Sequence, residues 1–324
     1  MSNKNQTLWT LEALQEHLKF AIDLEFWTIP FYRTALHALP SGQDSASKSI
    51  TDVSDQEMFH CQCAWNLAQA FGVTDYNFAD RDFSYSGTTI PHLNFALEDP
   101  NPAAVPVEIE GTTYDFTDYS AELDTASFDQ RINAMCLVEY PDWAKPTWQE
   151  MLPIITNYPS IGHFYAAIQS LMTTEAKFVD GTLVMDAIQA NTPTQTNLFA
   201  GKLPDGFPYT VTETGEAGID QINAIINAIV EEGEGTSSSS PGVPPEYQYN
   251  GDTEAHFNSF LDIKSGGAIT QKTMKDTGVT DIMNGLATFL PYVQTMFESG
   301  GTNSGDFFNQ MYAFDGVISG AFNA

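Results

Sequence analysis

Positive charge is what this sequence lacks most. Its 324 residues carry 12 Lys and Arg against 42 Asp and Glu, a formal net charge of −30. A surface this acidic repels phosphate backbones and anionic lipid heads, so nucleic acid and membrane surfaces are excluded as expected partners. Cysteine is scarce too. Cys61, Cys63 and Cys136 are an odd, sparse set, which argues against a disulfide framework and fits a reducing cytoplasm. No run of 18 or more apolar residues occurs, so no membrane span is expected. "MSNKNQTLWTLEALQEH" has no apolar core and no small-residue cleavage site of a signal peptide. No Ser-His-Asp order, GxGxxG fingerprint or phosphate-binding glycine loop stands out.

Apolar residues are plentiful. They make up 42% of the chain, and aromatics 12%, enough for a substantial core. The first helix starts near Thr10, and its apolar line runs Leu11, Leu14, Leu18, Ile22, then Ile29, Tyr32, Leu36. The gap in that line falls on Glu25. Pro30 follows and removes the donor to the Phe26 carbonyl, which predicts a local kink. The second helix, about 46–71, runs Ile50, Val53, Glu57, His60, Ala64, Leu67, Phe71, and Gly72 is its expected C-terminal cap. Its middle is polar as well.

Residues 73–124 form a long crossover in which "VPVEIEGTTYDF" (105–116) predicts a hairpin. A shorter helix covers about 126–140 and is broken by Pro141 and Pro146. A third main helix begins at Ser160, with Ile161, Phe164, Ile168 and Leu171 on its apolar face. Residues 195–216 are a loop or hairpin insert. The fourth helix, 218–235, runs Ile219, Ile222, Ile226, Ile229/Val230 and then Glu234; if it ends differently, Glu231 or Glu232 takes that place. The Ser/Pro/Gly-rich stretch 236–252 separates it from a short helix at Thr253 that carries His256. Two amphipathic segments, 280–298 and 305–322, close the chain. No internal repeat is evident. The expected division is a bundle over 1–265, with inserts at 73–124, 195–216 and 236–252, and a helical extension over 266–324.

Four long helices that each interrupt an apolar line with Glu or His form a pattern with a physical meaning. A buried carboxylate costs several kcal/mol unless paired or metal-bound. Glu57 and His60, three apart, share a helix face and can reach one ion. Bundles that hold two iron or manganese ions use inward Glu residues and Glu-x-x-His motifs. The competing reading is a Glu–His hydrogen bond at a wet helix edge. "HCQC" (60–63) is no zinc site, because i, i+1 and i+3 on a helix point three ways.

"AIDLEFWTIPFY", "SDQEMFHCQCAWNLAQAFG", "YPSIGHFYAAI", "AIINAIVEEGEG" and "EAHFNSFLDI", in that order, resemble the ferritin-like domain of iminophenyl-pyruvate dimer synthases. Those enzymes couple two oxidised tryptophan-derived imines in violacein and indolocarbazole biosynthesis. The resemblance spans roughly 10–265 and implies a mainly α fold: a metal-binding four-helix bundle with a long crossover. It implies Glu25 as first-helix ligand, Glu57 and His60 as the second-helix pair, and Glu234 with His256 as a split pair. Where the family often places Glu before "FY", this chain has His163; Glu139 in "VEYP" is the alternative third-helix ligand. The expected protein is a cytoplasmic monomer or homodimer: an iron or manganese oxidoreductase for a small organic substrate, with O₂ as a possible oxidant. A non-catalytic metal-binding or interaction module on the same bundle is the alternative, and iron storage a third reading.

Overall fold

The computed structural model describes residues 9–97, 102–109, 111–140, 157–199, 209–234 and 255–323. Helix α1 (Leu11–Ala38) and α2 (Asp44–Ala70) lie alongside one another over most of their length. Thr10 opens α1 by accepting a 3.0 Å hydrogen bond from the Ala13 amide, as a threonine N-cap should. The helix continues unbroken through Pro30. Gly72 follows α2 with φ +75°, the left-handed conformation that glycine adopts freely after a helix end.

The crossover holds a two-stranded antiparallel hairpin, β1 (Val107–Ile109) and β2 (Thr112–Tyr114), with Val107 opposite Tyr114. Then come α3 (Phe128–Val138), closed at its start by a Ser127/Gln130 capping box, and α4 (Ile161–Gln169), capped by Ser160. Helix α5 is Gly215–Glu234, α6 is His256–Ser265, and α7 (Gly278–Glu298) and α8 (Ser304–Gly320) form a C-terminal pair. Helix α4 packs on α5, α3 on α6, and α2 touches both α5 and α6. Helix α8 leans on α1. Apart from Leu11, which is exposed in the first turn of α1, the apolar positions named on the main helices meet in or pack against one continuous core. The three cysteines are free and buried. No helix among the described residues is long and apolar enough to cross a membrane.

The third main helix is shorter than its apolar line implies. Ser170 ends α4 and turns its hydroxyl back to the Ala167 carbonyl at 2.7 Å. Thr173 and Thr174 follow, weak helix formers that do not extend it. Leu171 is nonetheless buried. The expected Ser/Pro/Gly-rich insert at 236–252 lies outside the described residues.

One buried acid ties the crossover to the bundle. Asp23 on α1 accepts hydrogen bonds from Tyr76 Oη (2.8 Å) and Arg81 Nε (2.8 Å) at Oδ1, and from His92 Nε2 (3.0 Å) and Arg81 Nη2 at Oδ2. Burial alone would push its carboxyl up; the His92 and Arg81 hydrogen bonds and the Arg81 charge outweigh that and hold it below the ordinary carboxylate range. A depressed folded-state value contributes stability above the unfolded value, about 3.9, and loses it as pH falls through the folded value. Asp23→Asn should therefore cost about 2–3 kcal/mol at pH 7, below the usual cost of breaking a fully buried pair because Arg81 is partly exposed. In urea unfolding followed by circular dichroism, the gap between variant and wild type should close below about pH 4.

Candidate metal centre

Six buried residues from four helices and the end of a fifth converge between α1, α2, α3, α5 and α6. Glu25 lies in the middle of α1. Glu57 and His60 lie one turn apart on α2. Glu139 is the C-cap residue of α3, Glu232 lies near the end of α5, and His256 is the first residue of α6. All six are at most 3% exposed. Backbone also closes in: a Cβ added at Gly233 would stand 2.9 Å from Glu139 Oε2, so a larger residue there would displace that carboxylate.

The two imidazoles are arranged alike. His60 Nε2 lies 2.8 Å from Glu232 Oε2, while its Nδ1 stands 3.6 Å from Glu57 Oε2 and 3.7 Å from Glu25 Oε2. His256 Nε2 lies 3.1 Å from Gln56 Oε1, while its Nδ1 stands 2.9 Å from Glu57 Oε1 and 3.8 Å from Glu139 Oε2. Each ring is engaged on its outer nitrogen and turns Nδ1 toward the carboxylates. Gln56 completes the outer arc, its Nε2 3.5 Å from Glu232 Oε1. Single ligand atoms from Glu57, His60 and His256 all fall within 4.8 Å of one another.

Inside this arc several atoms lack hydrogen-bond partners. Glu57 Oε1 and His256 Nδ1, although 2.9 Å apart, are not aligned for a hydrogen bond, and both Glu25 oxygens are unpartnered. Buried orphans of this kind are rare and costly. Lone pairs that approach closely without pointing at each other suit a cation between them. The opposite oxygens are held: Thr28 Oγ1 is 3.0 Å from Glu57 Oε2, and Tyr32 Oη donates to Glu139 Oε1 at 2.7 Å. The Tyr165 hydroxyl sits beside Glu25.

The electrostatics agree. Burial, and then the neighbouring Glu57 charge, push the Glu25 carboxyl well up. Burial also raises Glu139. Burial opposes ionisation of Glu57 as well, but His256 and His60 outweigh it and hold Glu57 well below the ordinary range. Both imidazoles would be lowered by burial, yet the carboxylates around them reverse the sign: His60 is raised well above its usual value, and His256 is raised to about 9. Protons gather where positive charge is needed, and a metal ion would supply the same charge.

Of the residues expected from sequence, the fold brings Glu25, Glu57, His60, Glu139 and His256 together. The side chain of Glu234 lies outside the described residues; Glu232, two positions earlier, is the acid that meets His60. His163 is buried at the start of α4 with its Nδ1 2.8 Å from Ser160 Oγ. On α4 it is Tyr165 that faces Glu25, and residues two apart on a helix diverge by about 200°, so His163 projects away from the centre. Gln56, Thr28, Tyr32 and Tyr165 join the cluster without a ligand-type pattern in the sequence. Tyr32 carried a usable signal: a buried phenol two turns from a buried Glu needs a hydrogen-bond partner.

The sequence model of the ferritin-like family matches residues 18–265. That span includes every residue of the cluster and ends before α7. A solved structure of a ferritin-like protein from Caulobacter vibrioides is similar to this chain, with 29% identity and a TM-score of 0.75 over 97% of this chain and 96% of that one. No curated protein matches. The family match, the helical architecture and the buried cluster of acids and imidazoles agree, and the chain belongs to the ferritin-like family.

Proposed function

We propose that Glu25, Glu57, His60, Glu139 and His256 hold one or two iron or manganese ions, and that the protein is an oxidoreductase for a small organic substrate with O₂ as its oxidant. The observation that carries this reading is the misaligned 2.9 Å approach of Glu57 Oε1 and His256 Nδ1, with both oxygens of Glu25 unpartnered beside it. Three carboxylates and two imidazoles are a donor set that iron and manganese accept. The likeness to iminophenyl-pyruvate dimer synthases supports, by analogy, a place in natural-product biosynthesis. When bound, the metal supplies electrons and open coordination positions.

The chain's own residues do the rest. Glu232 and Gln56 accept the outer N–H protons of His60 and His256 and so present each Nδ1 lone pair inward. Thr28 and Tyr32 fix one oxygen of Glu57 and of Glu139 and leave the other for the ion. Burial excludes bulk water, which strengthens every charge interaction inside.

Reconstituted anaerobically with Fe(II), the full chain should retain iron through desalting, and Glu57→Gln should lower the iron content at least tenfold, read by plasma mass spectrometry. Exposure of the loaded wild type to O₂ should then change its near-ultraviolet absorption. Iron that binds but never reacts with O₂ would favour the non-catalytic module instead.

Metal binding should also release protons. His256, raised to about 9, is protonated at neutral pH in the metal-free protein, so an ion must displace that proton. Affinity should climb from pH 6 to about 9, by roughly tenfold per pH unit for each proton displaced. Calorimetric titration in buffers of different ionisation heat counts those protons. The metal-free protein should behave in the opposite sense. A raised folded-state value gives stability that is complete below about 6.5 and lost as pH rises through about 9, so its melting temperature should fall over that window.

A further inference from the structure

The C-terminal pair α7–α8 lies beyond the family match, and it does more than cover the bundle. Between it, the outer faces of α1 and α2, and the loop at Leu198–Phe199 is a cavity of about 450 Å³. Its walls are mostly rings and thioethers, among them Phe26, Phe59, Phe199, Phe289, Phe307 and Met311. A concave, largely apolar space of this size is what small-molecule sites look like. Phenylalanine edges and faces and methionine sulfur favour an aromatic guest.

Charge narrows the class. Among the described lining residues the cationic side chain is Arg33, and Asp315 already holds it, with Nη2–Oδ1 at 2.6 Å and Nε–Oδ1 at 2.8 Å. His37 Nε2 stands 2.9 Å from the same Asp315 oxygen. A carboxylate or phosphate on the guest would meet Asp55, Asp315 and a chain of net charge −30. That disfavours an anion, and walls that are mostly apolar disfavour burying a charge of either sign, so the fitting guest is neutral.

Gln56 links this cavity to the metal centre. On α2, Asp55 and Phe59 line the cavity while Glu57 and His60 face the centre, and Gln56 falls between the two faces at 100° per residue. Gln56 lines the cavity, and its side-chain amide meets His256 Nε2 at 3.1 Å and Glu232 Oε1 at 3.5 Å. A guest packed against Gln56 presses on the group that orients His256.

We propose that the chamber between α1, α2 and the α7–α8 pair binds a neutral, aromatic small molecule, and that Gln56 is the positioning residue through which this guest acts on the centre. The second half rests on the metal-dependent reading above; the first does not.

The test uses the full chain and N-phenyl-1-naphthylamine, an uncharged aromatic fluorophore. On metal-free protein its fluorescence should rise saturably with one site per chain. Met311→Trp on α8 and Leu198→Trp on the opposite wall should each fill the space and weaken binding at least tenfold, with helical circular dichroism checking that both fold. No saturable binding, or wild-type affinity in whichever of these variants folds, overturns the chamber. With Co(II) as a spectroscopic stand-in, saturating fluorophore should shift the visible cobalt bands of the wild type. The shift should vanish in Gln56→Leu. A chamber that binds with no band shift in the wild type overturns the role given to Gln56. If cobalt does not bind at all, the metal-dependent reading falls and the role of Gln56 with it, while the chamber stands or falls on the metal-free titration.

Discussion

Carboxylates held out of water in the middle of two packed helices are the constraint on which the rest of this structure depends. Glu25 and Glu57 sit where apolar side chains would otherwise continue the lines of α1 and α2. Two such charges at close range repel, and each has lost its hydration. The fold answers with segments far apart in sequence. His60 comes from the same helix as Glu57, His256 arrives almost 200 residues later, and the ends of α3 and α5 bring Glu139 and Glu232.

Asp23 and Glu25 show how the same helix uses two acids in opposite ways. Asp23 accepts hydrogen bonds from three side chains and is held below the ordinary carboxylate range. It is satisfied, and its work is to fasten the crossover to α1. Glu25, two residues on, has no hydrogen-bond partner for either oxygen and is pushed well up. A group left unsatisfied in so ordered a setting, with phenol, imidazole and carboxylate neighbours, has the character of a site built for something else to enter.

The centre is built in two layers that divide the labour. The inner layer offers oxygen and nitrogen lone pairs. The outer layer, Gln56, Glu232, Thr28 and Tyr32, spends its hydrogen bonds on turning those lone pairs inward. Because Gln56 belongs to that outer layer and also to the wall of the aromatic cavity, the C-terminal helices, although outside the family match, are one side chain removed from the centre.

Which helix faces are interrupted can be read from the residues alone. Glu25, Glu57 and His60 were legible because a stripe of period 3.6 makes any polar member conspicuous. The start of α1 at Thr10, the left-handed Gly72 and the hairpin around Gly111 were legible because caps and turns are local chemistry. Where helices end and where they face one another is set by packing between distant segments. Glu232 rather than its neighbours meets His60 because the rotation of α5 against α2 is fixed by packing across the bundle. Tyr165 rather than His163 faces Glu25 for the same reason. Gln56 looks like one more polar residue beside an apolar line, and its partners are about 200 residues away. Periodicity states that a residue is on a given face; it carries no information about what that face will meet.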